Sequence, residues 1–214
     1  MARWYERVSS RDVSDRSFVR FGGLAGILLA ITSWAAVILY YTAAAGGQDL
    51  VGLETFRLLY ALTAFWALFG IVAVHWVVRS QGEAWSFFAA LVGVVASIGT
   101  TASSLYQVAA TRTFLVDSPG RPVAAAASPT DPLNLMTFGL TGLWFLIVNP
   151  LLWRARFPRP LVALGFVAVA DLLVGFLGAL SAQDALVTPA AVVAGAVGGP
   201  LYWLWLGIAL RRRA

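Results

Sequence analysis

Hydrophobic residues run along this chain in long blocks that charge hardly interrupts, not in the alternation of a half-buried strand or the stripe of a surface helix. Six blocks reach the roughly 20 residues of helix needed to cross a hydrocarbon core about 30 Å thick. They lie at 22–44, 55–78, 85–111, 133–153, 160–180 and 188–210. Lipid-exposed backbone must satisfy its own hydrogen bonds, and apolar runs this long exclude the strands of a barrel. The sequence therefore predicts an all-α, polytopic integral membrane protein with six transmembrane helices in one domain over 22–210. The first block has the small residues Ala43 to Ala45 after it, as a secretory signal would. Its length exceeds the usual 7–15 residues of a signal core, so it is read as a true span.

The segments between the blocks are short, with one exception. The loop at 112–132 holds Pro119, Pro122 and Pro129 around an alanine run, a composition that stops helix. It is read as a tether between two three-helix halves. Residues 1–21 place Trp4, Tyr5, Val8, Val13, Phe18 and Val19 among arginines and acids, the make-up of a segment lying on the cytoplasmic leaflet. Residues 211–214 form a basic tail.

Composition strengthens the membrane assignment. Hydrophobic residues make up 60% of the 214, charged residues 12%, and mean hydropathy is +0.80, against about 45–50% and about 25% in soluble domains. Charge then supplies orientation. Twelve arginines (Arg3, Arg7, Arg11, Arg16, Arg20, Arg79, Arg154, Arg156, Arg159, Arg211, Arg212, Arg213) fall on one side of the alternating spans, and Arg57, Arg112 and Arg121 on the other. The positive-inside rule puts both termini in the cytoplasm. Each arginine cluster abuts a span, so its expected partners are membrane lipids with anionic headgroups, and no nucleic acid. The Ala-, Gly- and Arg-rich, Lys-free composition points to the inner membrane of a prokaryote.

Several chemistries are excluded. All 15 basic residues are Arg, which removes a lysine Schiff base and a phosphate-binding lysine loop. There is no Cys, hence no disulfide, thiolate nucleophile or cysteine-held metal. With one His, His75, one protomer cannot supply two histidines to a haem. No catalytic constellation, metal site or required cofactor is found, so no enzyme is expected; a bound lipid, quinone or pigment would be compatible.

The remaining candidates are intramembrane polar groups. Asp171 is the ionisable residue nearest the middle of a predicted span, where an acid costs roughly 2.5–3.5 kcal/mol and is normally paired, held neutral or functional. Thr100, Ser104, Gln107 and Thr111 form one polar face on the third span, with Thr101 and Ser97 beside it. Counting from the span ends puts Asp171, Thr100, Thr101, Ser33 and Trp66 at similar depth. His75, near a span end, reads as a boundary residue or, more sharply, an axial ligand. Asn149 and Pro150 predict a kink and a candidate hinge. Ala191, Gly195 and Gly199 predict a smooth packing surface on the sixth span.

Two functions compete. The first expectation is a non-enzymatic interaction or accessory subunit, or a bundle binding a small apolar ligand, present as a homo-oligomer or within a larger complex. The second is a small proton- or cation-linked transporter or channel using Asp171 and the polar face of the third span.

Overall fold

The computed structural model describes residues 2–44, 49–117 and 131–214, with the side chains of residues 2–14, 43, 44, 113–117, 184 and 188 outside the description. Of the predicted loop at 112–132, residues 118–130 lie outside the described residues, whereas 112–117 continue α3 to Asp117. Those that are described are helical apart from short turns. The helices are α1 (Ala2–Leu39), α2 (Leu50–Val78), α3 (Glu83–Asp117), α4 (Thr141–Arg154), α5 (Arg159–Leu180), α6 (Asp184–Val192) and α7 (Gly199–Arg213).

Six stretches are long and apolar enough to cross a membrane: Asp15–Thr42, Leu50–Gln81, Glu83–Arg112, Leu135–Arg154, Arg159–Leu180 and Ala185–Arg213. They coincide with the six predicted blocks. The first extends further towards the N-terminus, because α1 runs unbroken from Ala2 through the whole span. The sixth is built from α6 and α7 joined through a π-helical segment, Val193–Gly198. Similar wide turns occupy Tyr40–Ala44 and Leu135–Leu140. A π turn breaks the regular i→i−4 ladder and leaves backbone groups in need of other partners.

The starts and stops follow from local chemistry. Asp49 caps α2 by accepting from the Gly52 N–H at 3.0 Å. Pro160 falls in the first turn of α5, where its missing N–H costs nothing. After α4 and α5 the chain turns through Arg156 and Ala182, both in the left-handed region at φ 56° and 54°. The next amides close the helix ends, Phe157 N–H onto the Leu152 carbonyl and Gln183 N–H onto Gly178.

Neighbours in sequence pack as neighbours in space, α1 on α2, α2 on α3, α3 on α4, α4 on α5 and α5 on α6, and α7 returns to α1 to close the bundle. Small residues permit the closest approach. Gly23 and Gly26 of α1 meet Gly207 of α7 backbone to backbone, and Gly22 meets Ala73 of α2. The core is large and aromatic: Trp144, Tyr202, Leu152, Leu161, Leu206 and Leu210 are fully buried. Trp144 and Trp203 stack with centroids 5.3 Å apart and planes 5° from parallel.

One end of the bundle gathers the termini and most of the described arginines. Arg79 lies 3.8 Å from Asp15 and over the Trp76 ring. Arg213 donates to the carbonyls of Ala155 and Arg156 and covers Phe157. At the far end Arg112 forms a two-pronged pair with Glu54, at 2.6 and 2.8 Å. The arginine grouping read along the sequence is thus a spatial grouping at one end of the fold.

Candidate functional site

Asp171 meets the π-helical segment of the sixth span. The backbone of Ala194 lies beside the Asp171 carboxyl group, whose Oδ2 is buried without a partner among the described residues. Across the same segment Ser33 donates to the Gly195 carbonyl at 3.1 Å, and the Trp34 indole N–H donates to the Ala196 carbonyl at 3.0 Å. Two consecutive carbonyls, those of Gly195 and Ala196, are therefore held by side chains from α1. The wide turn and the missing N–H of Pro200 leave these two carbonyls without helical partners, and the first span returns partners to them. Of the residues placed at one depth by counting, Asp171 and Ser33 are brought to this common turn.

The wide turn also revises the expected packing surface. Ala191, Gly195 and Gly199 hold a four-residue spacing only in a regular α-helix, and the π segment rotates them out of line. Gly195 has open space where a Cβ would lie. Close contact with the first span falls instead at Gly207.

The polar face of the third span faces other elements. Thr100 and Thr137 share a hydrogen bond at 3.4 Å, and the Thr101 hydroxyl donates to Ser97 of its own helix at 2.8 Å and to Ala61 of α2 at 3.4 Å. Ser104 bonds to the Thr100 carbonyl. Gln107 is half-buried, and Thr111 is buried. The face packs on α2 and on the start of the fourth span, whereas α5 with Asp171 packs on α4 and α6. Gly93 and Gly99 on α3 receive the Trp144 and Met136 side chains, so this helix serves as a close-packed seam.

Two charged residues were not among the sequence candidates. Asp131 is 4% exposed and accepts from the N–H groups of Met136 and Thr137 and from the Thr137 hydroxyl, at 2.9, 3.1 and 2.8 Å. It caps the start of the fourth span. Its position two residues before the predicted helix is the N-capping signal that could have found it. Arg57 is 6% exposed, and its Nε and Nη1 are buried with no partner among the described residues. It counted as an outer charge in the arginine tally although it stands inside the second predicted span.

The other candidates have local partners. The Nδ1 of His75 lies 2.7 Å from the hydroxyl of buried Ser86. Trp66 stands beside Phe65 and Phe69 of its own helix, away from the polar groups above. Asn149 is fully buried, accepts from the Tyr202 hydroxyl at 3.4 Å, and fills the space over Gly165. Pro150 lies inside α4, and the Nδ2 of Asn149 is buried without a partner among the described residues. Two shallow cavities open near the arginine-rich end. One, of about 230 Å³, is lined by Arg16, Arg79, Arg213 and Trp76, and the other, of about 400 Å³, by Trp153, Arg156, Phe157 and Arg159.

No family model, curated protein or solved structure matches this chain. Its function is argued from its own geometry.

Proposed function

We propose that this protein is a non-enzymatic, multi-pass membrane protein acting as an interaction or accessory subunit, with both termini cytoplasmic. The observation that carries the reading is the use of Ser33 and Trp34 to fasten the π turn of the sixth span, beside which Asp171 lies. Polar groups that a transporter would point into a route here hold backbone. The third-span face supports the same reading, since Thr100 and Thr101 fasten α3 to its neighbours. The deep Trp144 and Trp203 stack on each other, which argues against their use as a platform for a flat ligand. The arginine-lined cavities fit anionic headgroups on the cytoplasmic side, as expected of an inner-membrane protein.

A single copy exposes apolar residues such as Ile31, Ile38, Phe87, Ile98 and Leu177. In a bilayer this surface suits lipid or another helix. Gentle extraction from intact membranes followed by native mass measurement tests the proposal. An assembly heavier than one 22.9 kDa chain is expected, and recovery of the monomer alone would count against it. The second reading, a proton- or cation-linked transporter, is favoured by one observation, the buried and unpartnered Oδ2 of Asp171.

A further inference from the structure

Arg57 is the buried charge that the fastening scheme leaves unexplained. It lies seven residues into α2, about 10 Å along the helix from its far end. On α2 it continues the buried row of Ala61 and Ala64 and so faces the bundle. Both edges of its guanidinium, the side edge through Nε and the end edge through Nη1, hold a sealed donor without a partner among the described residues. An isolated buried charge is strongly unfavourable, and leaving one without its counter-charge is a large penalty. The described acids on this half of the bundle are engaged elsewhere. Glu54 holds Arg112, Asp49 caps α2, and Asp131 takes three donors at the fourth span.

The register of α2 on α3 puts polar groups at the same level. Thr101 reaches the Ala61 carbonyl, and the two helices run antiparallel. One turn towards the far end therefore brings Arg57 on α2 level with Ser104 on α3. Beyond Ser104, Gln107 and Thr111 continue the polar face to the far end of the span. Half-buried Gln107 and buried Thr111 place an amide and a hydroxyl between that level and the far end of the span.

We infer that Arg57, with Gln107, forms a binding site for a single oxyanion, a carboxylate or phosphate group entering from the far end of the bundle. A guanidinium with an unpartnered donor on each of two edges is suited to one charged oxygen of such a group at either edge. Gln107, half-buried on α3 towards the same end, supplies a neutral amide donor. The oxyanion belongs either to a small solute or to a lipid headgroup, whose phosphate sits near this depth. The inference does not depend on the accessory role proposed above.

The test is thermal unfolding of the purified full chain in a neutral detergent. Acetate or inorganic phosphate is added at constant ionic strength in one arm, and phosphatidylglycerol in a neutral lipid in the other. The melting temperature of the parent should rise with the ligand of at least one arm and saturate, as ligand linkage requires. The arm that responds names the source. Arg57→Met should lose the response yet melt no lower than the parent without ligand, because a methionine of similar length removes an unpaired buried charge. Gln107→Leu should shift the half-saturating concentration upward several-fold. Asp117→Asn and Asp184→Asn test for a carboxylate from the chain itself. If Arg57→Met melts lower without ligand and adds nothing to one of those variants, Arg57 is bound internally and the inference is wrong. It fails equally if neither arm stabilises the parent, or if Arg57→Met responds as the parent does.

Discussion

The Ser33 hydroxyl donates to the Gly195 carbonyl at 3.1 Å, tying the first span to the π turn of the last across 162 residues of chain. The neighbouring Trp34 indole does the same for Ala196. Each contact satisfies a carbonyl in the part of span six where the helical ladder is interrupted, so loss of either exposes a backbone acceptor to an apolar surrounding.

Ser33→Ala and Trp34→Phe are expected to lower stability in detergent by about 0.5–1.5 kcal/mol each, the range for hydrogen bonds inside proteins and membranes. Because both serve one turn, the double variant should depart from additivity. Thermal unfolding of the two single variants and the double variant measures the coupling. A strictly additive pair would show that the two bonds act independently.

Two glycines of span six should respond in opposite ways to the same substitution. At Gly207 a Cβ would lie 2.5 Å from the Gly23 carbonyl oxygen, and at Gly195 it would meet nothing within 4 Å. Gly207→Ala should cost about 1–3 kcal/mol by forcing α7 off α1. Gly195→Ala should be neutral or gain up to about 1 kcal/mol from the stiffer backbone. Comparable losses at both sites would show that the π turn does not turn Gly195 away from its neighbours.

Ala182 holds a left-handed backbone, φ 54°, at the position after α5 where glycine is usual. Ala182→Gly relieves that conformation at a site that is exposed. A gain of about 1 kcal/mol is expected, read as a higher melting temperature with the same fluorescence spectrum from the buried tryptophans.

The orientation has its own test in a chain that contains no cysteine. Single cysteines in place of Ser9 and Ser128 should react with an impermeant thiol reagent from opposite sides of an intact cell, Ser128 from outside. The warrant is the twelve-to-three arginine asymmetry. Labelling of both positions from outside would reverse the expected cytoplasmic termini.

The helical architecture was legible because a hydrocarbon slab imposes a length, and six apolar blocks of that length have one reading. Their ends shifted where a polar residue could still join a helix, as at Asp15 before the first span. The π turns were not legible. A wide turn has no residue signature of its own, and it broke the four-residue spacing of Ala191, Gly195 and Gly199. Depth counting placed Asp171 with Thr100, but depth carries no rotation about the helix axis, and it was rotation that set Asp171 on Ala194 and Thr100 on Thr137. Arg57 was overlooked because a charge within two turns of a span end normally snorkels to the interface, whereas this one is 6% exposed.

The claim that intramembrane polar groups fasten this bundle, and do not carry an ion, is tested most directly by proton flux. The parent protein and Asp171→Asn are reconstituted in liposomes under an imposed pH gradient, and the internal pH is followed with a trapped dye. Asn keeps the shape of Asp171 and an oxygen that can accept a hydrogen bond, but it cannot ionise. A fastening role predicts a folded variant and gradient decay no faster than in empty liposomes for both proteins. A flux through the parent that vanishes in a well-folded Asp171→Asn would contradict it and establish the transporter.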